Sequence, residues 1–306
     1  MLEGYYLRRP TRDDVQAVLG LMVDCDRRDV GFPDSDENEL IGYWDRIDLS
    51  ADAWLAYDQD HILRGYAAVM PWTNGKLVAV YDAPGSEETD LFLALTILGE
   101  GRARALLRDE DTGQRFMIAQ YISEQAEYQK KILAHAGYRI SRFLFNMHRD
   151  LRDVMPARDW PNHYHIRIVK PVIDGRILHA LIQDAFEKPG RKRRSFESWR
   201  SWMMHPSSFI ADIWFVLEHK GEMVGCALCF EYEHLGWVRQ LAVRADHRGR
   251  GLGRVLLQHA FSVFKNRGFS TVGLAVEAEN LKALNLYQSV GMKKVVHLNE
   301  FSKRIT

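Results

Sequence analysis

The stretch Leu241-Ala-Val-Arg-Ala-Asp-His-Arg-Gly-Arg-Gly-Leu-Gly-Arg-Val-Leu-Leu257 constrains this chain more than any other. A strand-like run, Trp237 to Val243, enters a turn in which arginine alternates with glycine. Beyond the turn, Leu252, Val255, Leu256, Ala260 and Val263 recur at the spacing of one helical face. Gly249, Gly251 and Gly253 let a ligand approach the backbone closely. Their N–H groups, with a helix N-terminus behind them, form an anion cradle. Arg248, Arg250 and Arg254 add fixed positive charge suited to phosphate oxygens. Other phosphate motifs fail on spacing. A Walker loop needs Gly-Lys-Ser/Thr, which is absent. A Gly-x-Gly-x-x-Gly fingerprint meets Arg254 or Leu256 where its third glycine belongs.

The elements around this loop alternate. Ile213 to His219 reads as a strand, Lys220-Gly221 as a hairpin turn, and Met223 to Tyr232 and Trp237 to Val243 as two further strands. A helix from Leu252 stops at Asn266-Arg267-Gly268, with Gly268 suited to the left-handed position after the last turn. Thr271 to Val276 is a strand, Asn280 to Ser289 a short helix, and Lys294 to Leu298 a strand. The fold class this implies is α/β, an α+β layer with a mixed sheet. The first half repeats the order faintly. Tyr66 to Met70, Leu77 to Tyr81, Phe116 to Gln120 and Arg142 to His148 are strand-like, and Thr89 to Leu107 and Glu124 to His135 are helical. Ala136-Gly137-Tyr138 echoes Val290-Gly291-Met292. The expectation is two copies of one fold, the first eroded: residues 1–150, a joint at 151–164 marked by Met155-Pro156 and Trp160-Pro161, and residues 165–306.

Composition narrows the class. At 306 residues two domains are expected, and 46% apolar residues suffice for real cores. No apolar run approaches a membrane span, and the N-terminal residues lack a secretion signal. Three cysteines argue against a disulfide framework and for a reducing, cytoplasmic setting. Lys and Arg balance Asp and Glu at 41 each, which excludes a globally basic nucleic-acid binder. The balance hides an asymmetry. Residues 1–150 carry 17 basic and 26 acidic side chains, and residues 151–306 carry 24 and 15. Either the halves are complementary, or the second handles an anionic ligand.

Arg248-Gly-Arg-Gly251-Leu-Gly253 resembles the Gln/Arg-x-x-Gly-x-Gly/Ala loop of the GNAT superfamily of acyl-CoA-dependent N-acyltransferases. Asn280-Leu-Lys-Ala283-Leu-Asn-Leu-Tyr287-Gln-Ser-Val-Gly291-Met292 resembles that superfamily's Asn-x-x-Ala-x-x-x-Tyr-x-x-x-Gly-Phe motif. The two motifs stand in the family's order, and the resemblance covers about residues 165–300. With the faint repeat, the chain is similar to tandem GNAT proteins of the mycothiol synthase type, with a degenerate N-terminal domain. The resemblance implies acetyl-CoA as co-substrate, a small amine-bearing acceptor, direct attack of the amine on the thioester, and neither metal, nucleic acid nor membrane as partner. It implies that the backbone of Leu241, Ala242 and Val243 holds the pantetheine arm and the thioester. Arg248, Gly249, Arg250, Gly251, Leu252, Gly253 and Arg254 would hold the pyrophosphate, and Asn280 would touch the pantetheine. Tyr287 would lie near the sulfur and protonate the departing thiolate.

The base is where the sequence departs from the family. Many members carry a glutamate on the strand before the loop, and Trp237 to Val243 has no carboxylate. Glu231, Glu233 and His234 lie just upstream and are the candidates. Tyr287 also has apolar neighbours, so it equally fits a core aromatic. Cys226-Ala-Leu-Cys229 falls within a strand, where i and i+3 face opposite ways, so it reads as two packed cysteines rather than a metal or redox pair. In the first copy, Glu87 and Glu88 precede the Thr89 helix and would repel phosphate, while Ala126 and Leu133 align with Asn280 and Tyr287. Glu187 to Ser195 reads as a basic loop. Two functional classes remain open at this point, an N-acetyltransferase and a non-catalytic CoA-binding or sensor protein.

Overall fold

The computed structural model describes residues 4–72, 75–85, 90–108, 116–153, 163–188, 193–205 and 208–305. The chain divides into two compact units, Met1–Leu144 with Val296–Thr306, and Phe145–Val295. The division is thus not at a single joint, since the last strand's end belongs to the first unit. Most of the expected joint, 154–162, lies outside the described residues, as do Glu87 and Glu88.

Unit 1 runs β1 (Tyr6–Arg8), α1 (Val15–Asp29), α2 (Glu37–Trp44), α3 (Leu49–Asp52), β2 (Ala53–Tyr57), β3 (Leu63–Trp72), β4 (Gly75–Asp82), α4 (Leu91–Arg108), β5 (Phe116–Ser123), α5 (Glu127–His135) and the first half of β6 (Arg139–Asp150). Strands β1 to β4 pair antiparallel, and β4 pairs with β5 in parallel. Unit 2 repeats the sequence of elements: β7 (Tyr164–Ile168), α6 (Pro171–Ala185), α7 (Phe196–Met203), β8 (Trp214–His219), β9 (Glu222–Glu231), β10 (Gly236–Val243), α8 (Leu252–Asn266), β11 (Thr271–Glu277), α9 (Leu281–Ser289) and the start of β12 (Lys293–Ile305). Strands β7 to β10 are antiparallel, and β10 meets β11 in parallel. Both units are therefore mixed α/β sheets with helices packed on them. Among the described residues no helix is long and apolar enough to cross a membrane.

The duplication shows in side chains as well as topology. In unit 1, Arg8 forks onto Asp14, and Asp14 also accepts the Thr11 N–H at 2.7 Å. In unit 2, Arg167 forks onto Asp174 at 2.6 and 2.9 Å, and Asp174 accepts the Lys170 N–H at 2.6 Å. Each fork ties the first strand of its unit to the start of the first helix through a bidentate charged pair. The sequence reading leaves these opening elements unassigned, because β1 and β7 are short and α1 interrupts its apolar face with charge.

Strand β12 extends well past the expected Leu298, to Ile305. Residues 298–305 form a ladder with β5, from Leu298–Ser123 to Ile305–Phe116, and so complete unit 1. Pairing partners, not local alternation, set that length. The unit 2 core is built on Trp199, Trp214, Phe261 and Phe264, all 2% exposed or less. Cys226 and Cys229 are buried within β9, where burial pushes both thiols up, Cys226 to about 12. Buried, protonated and unpaired, they have the packing role expected of them.

Candidate functional site

The site in unit 2 begins with a strand that cannot pair fully on both sides. β10 follows β9 from Gly236–Glu231 to Val243–Gly225, but the register shifts between Val238 and Gln240. Such a bulge bends the strand and re-aims its backbone. On its other side β10 meets β11 at Gly236–Val272 and Trp237–Gly273, at the start of each strand. Leu241, Ala242 and Val243 therefore bond to β9 along one edge, and the opposite edge lies beyond the β11 ladder.

The chain then passes through a 3-10 turn, Ala245–His247, into the glycine loop. Gly249 and Gly251 both have φ of 79°, and nothing lies within 4 Å of where a Cβ would stand. Backbone conformation, not lack of space, demands glycine at both. Gly251 caps α8, whose first bonds run from the N–H groups of Arg254 and Val255 to its carbonyl. The N–H groups of Leu252 and Gly253 precede the helical ladder and face the helix end. Gly253 is closely packed for a different reason: a Cβ there would stand 3.1 Å from Leu286 Cδ2 of α9, which would have to shift by a few tenths of an ångström.

The arginines divide by task. Arg248 donates from Nε to the Val243 carbonyl at 2.9 Å and from Nη2 to the Ala185 carbonyl at 3.5 Å. Arg250 donates to Tyr164 Oη at 3.1 Å and to the Asp246 carbonyl at 3.1 Å. Both fasten the loop while keeping their charge beside it. Arg254 is exposed on the first turn of α8, with no ion-pair partner among the described residues. Beneath the loop, buried His247 accepts at Nε2 from Arg244 at 3.1 Å and meets Tyr164 Oη with Nδ1 at 2.9 Å. An arginine only donates, so Nε2 carries the lone pair and the ring hydrogen sits on Nδ1. Tyr164 Oη thus receives two donors. Sequence reasoning missed this network, because Tyr164 lies more than 80 residues before its partners and no motif spans that distance.

Helix α9 brings the second motif alongside α8. Asn280 is its N-cap, and its Oδ1 accepts from the Ala283 N–H at 3.2 Å. That cap leaves the amide N–H pair of Asn280 as donors at an exposed helix end. Tyr287 is 9% exposed and has no hydrogen-bond partner among the described residues. Burial pushes its phenol up to about 12. It is both a core aromatic and an available neutral donor.

The carboxylate candidates stand apart from this arrangement. Glu231, at the end of β9, is held by Arg267 at the end of α8. Glu233 and His234 are exposed and close to one another, at 3.3 Å. On β10 itself, Gln240 accepts from Trp199 Nε1 of α7 at 3.4 Å, a polar contact beside the bulge between residues 41 positions apart that no motif links. In unit 1, Ala126 is the N-cap of α5 without a capping side chain, and Leu133 is fully buried. The places taken by Asn280 and Tyr287 in unit 2 are thus apolar in unit 1. Among the described residues, no group of His, Cys, Asp and Glu is placed to hold a metal.

Residues 176–292 match the acetyltransferase (GNAT) family model. A mycothiol acetyltransferase of Thermobispora bispora is 27% identical over 303 residues, covering 94% of this chain and 95% of that protein. A mycothiol acetyltransferase of Acidothermus cellulolyticus is 30% identical over 174 residues, about half of each chain. Among solved structures, a GCN5-related N-acetyltransferase from Sphaerobacter thermophilus superposes with a TM-score of 0.85 at 26% identity, covering 99% of this chain and 96% of that one. A tandem GNAT protein from the clavulanic acid biosynthesis pathway shares the fold over 98% of both chains, with a TM-score of 0.75 at 15% identity. Residues 176–292 thus carry an acetyltransferase (GNAT) family domain, and the chain as a whole is similar to mycothiol acetyltransferases in sequence and to tandem GNAT proteins in fold.

Proposed function

We propose that unit 2 transfers an acetyl group from acetyl-CoA to the amine of a small molecule by direct attack on the thioester. The observation that carries this reading is the pair of left-handed glycines, Gly249 and Gly251, at the end of a bulged strand and the start of α8. They turn successive N–H groups outward beside Arg248, Arg250 and Arg254, a cradle for the pyrophosphate. The free edge of Leu241, Ala242 and Val243 suits the amides of a pantetheine arm, and Asn280 offers further donors. Backbone N–H groups near the bulge would stabilise the oxyanion that develops as the amine attacks. Tyr287, held neutral by burial, would give its proton to the departing thiolate.

Proton removal from the amine would fall to Glu233 through an intervening water, or to Glu231 once released from Arg267. An acceptor amine of low pKa needs neither. Relatives named mycothiol acetyltransferase make a mycothiol-type acceptor the first to assay. Three buried free cysteines suit a cytoplasmic setting. One observation favours a second reading, a non-catalytic CoA-binding protein: β10 has no carboxylate, and Glu231 is already ion-paired.

Turnover with a panel of amines separates the two readings. Tyr287→Phe, which keeps the ring, should lower kcat by ~10²–10⁴ and leave acetyl-CoA affinity unchanged. Wild-type turnover in that variant would reduce Tyr287 to packing. Acetyl-CoA binding with no turnover across the panel would support the second reading.

A further inference from the structure

His219 ends β8 and stands opposite Tyr164 of β7 in their antiparallel ladder. Its half-buried imidazole stacks on the Tyr164 ring at 4.7 Å between centroids and meets the His247 ring nearly edge-on at 5.2 Å. Tyr164 Oη in turn receives Arg250 of the glycine loop at 3.1 Å. One aromatic ring therefore separates a titratable group from an arginine of the proposed pyrophosphate cradle. The chemistry above gives His219 no task.

The surroundings of His219 are cationic. His163 faces it from the residue before β7, Lys220 from the β8–β9 turn, and His247 and Arg250 from the segment that leads into α8. Arg244 lies behind His247, 3.1 Å from Nε2. The nearby carboxylates are engaged elsewhere. Glu222, opposite His219 on β9, and Asp246 both hold Arg244, at 2.9 and 2.8 Å. Glu218, the preceding residue on β8, accepts from Arg167 at 2.9 Å. Among the described residues no carboxylate pairs with the His219 ring. Desolvation first, then repulsion from His247, Lys220, Arg250 and His163, depresses its pKa below the ordinary histidine value.

An anion on the glycine loop opposes this field. Negative charge beside the cluster favours the charged imidazole, so a pyrophosphate raises the His219 pKa relative to the empty protein. The complex then holds more protons than the free chain. Linkage fixes the sign: affinity for the anion is greater at low pH and is lost as pH rises through the raised value. As an imidazolium, His219 also adds cation–π attraction to its stack on Tyr164, which holds Oη in place for Arg250.

We propose that His219 is a positioning residue for the pyrophosphate loop, acting through Tyr164 on Arg250, and that it takes up a proton when the anion binds. The proposal rests on the reading of that loop as the pyrophosphate site.

The test is calorimetric titration of the full chain with 3′-dephospho-CoA, which keeps the pyrophosphate but lacks the 3′-phosphate that itself titrates near neutral pH. Titrations at one pH in MES and in imidazole, whose ionisation enthalpies differ, read the protons exchanged. The expected result is net proton uptake, with affinity about three- to tenfold tighter at about pH 5.5 than at about pH 8. His219→Phe keeps the stacked ring and His219→Gln keeps a polar side chain. Both should abolish the uptake and flatten the profile, while matching the wild type at the higher pH, where His219 is neutral. A merely structural role would instead weaken binding equally at both pH values. Binding without proton uptake, or uptake unchanged in both variants, would overturn the proposal and leave the pyrophosphate site standing. No binding of 3′-dephospho-CoA at any pH would overturn the reading of the loop, and the proposal with it.

Discussion

Tyr164→Phe isolates one hydroxyl beneath the phosphate loop. The ring stacks on His219 at 4.7 Å between centroids, and phenylalanine preserves that contact. What is lost is Oη, which receives Arg250 at 3.1 Å and His247 Nδ1–H at 2.9 Å. The two losses differ in cost. Arg250 is exposed and turns to water cheaply. His247 is 6% exposed and keeps its Nδ1–H, because Arg244 still occupies Nε2. A buried donor left unmatched costs about 1–3 kcal/mol. Thermal unfolding should therefore fall by roughly 2–4 °C for each kcal/mol in a domain of this size. Arg250 also loses one of its two anchors, so the loop is less well ordered before the pyrophosphate arrives. Acetyl-CoA affinity should fall by up to about tenfold, equivalent to about 1.4 kcal/mol. Differential scanning calorimetry and isothermal titration read the two effects separately. Unchanged stability together with unchanged affinity would refute the reasoning, since it would mean that Tyr164 supports neither His247 nor the loop.

Other expectations follow from single contacts. Gly253→Val places side-chain atoms against Leu286, where even a Cβ stands at 3.1 Å, and should cost about 1–3 kcal/mol in chemical denaturation. Asn280→Ala removes the α9 cap and should cost about 1 kcal/mol by the same assay. Asp14, held by Arg8, has its carboxyl lowered to about 2, against about 3.9 when unfolded. Its stabilisation is present above the unfolded value and is lost as pH falls through the folded one, so urea midpoints should drop between about pH 4 and pH 2, and Asp14→Asn should flatten that part of the profile.

The sequence was most informative where one element's chemistry is local. The alternating glycines at 249 and 251 mark a turn between strand and helix whatever surrounds them, and the turn is there, with both glycines at positive φ. Gly268 and Gly291 end their helices in the same conformation. The short helix expected from Asn280 likewise starts there, with Asn280 as its N-cap. Reading failed where distant partners decide. The length of β12 depends on a ladder with β5, more than 170 positions away. The Arg8–Asp14 and Arg167–Asp174 forks recur in both units, but their spacings differ by one residue, so no fixed-period comparison finds them.

The central claim is that one acyl-CoA site exists, built on the unit 2 glycine loop. Isothermal titration of acetyl-CoA into the full chain and into Gly251→Glu tests it most directly. Gly251 has φ of 79° and caps α8, so glutamate there both strains the turn and sets a negative charge in the cradle. The expected result is one acetyl-CoA per wild-type chain and no measurable binding to the folded variant. Two molecules bound per chain, or wild-type affinity in Gly251→Glu, would contradict the claim.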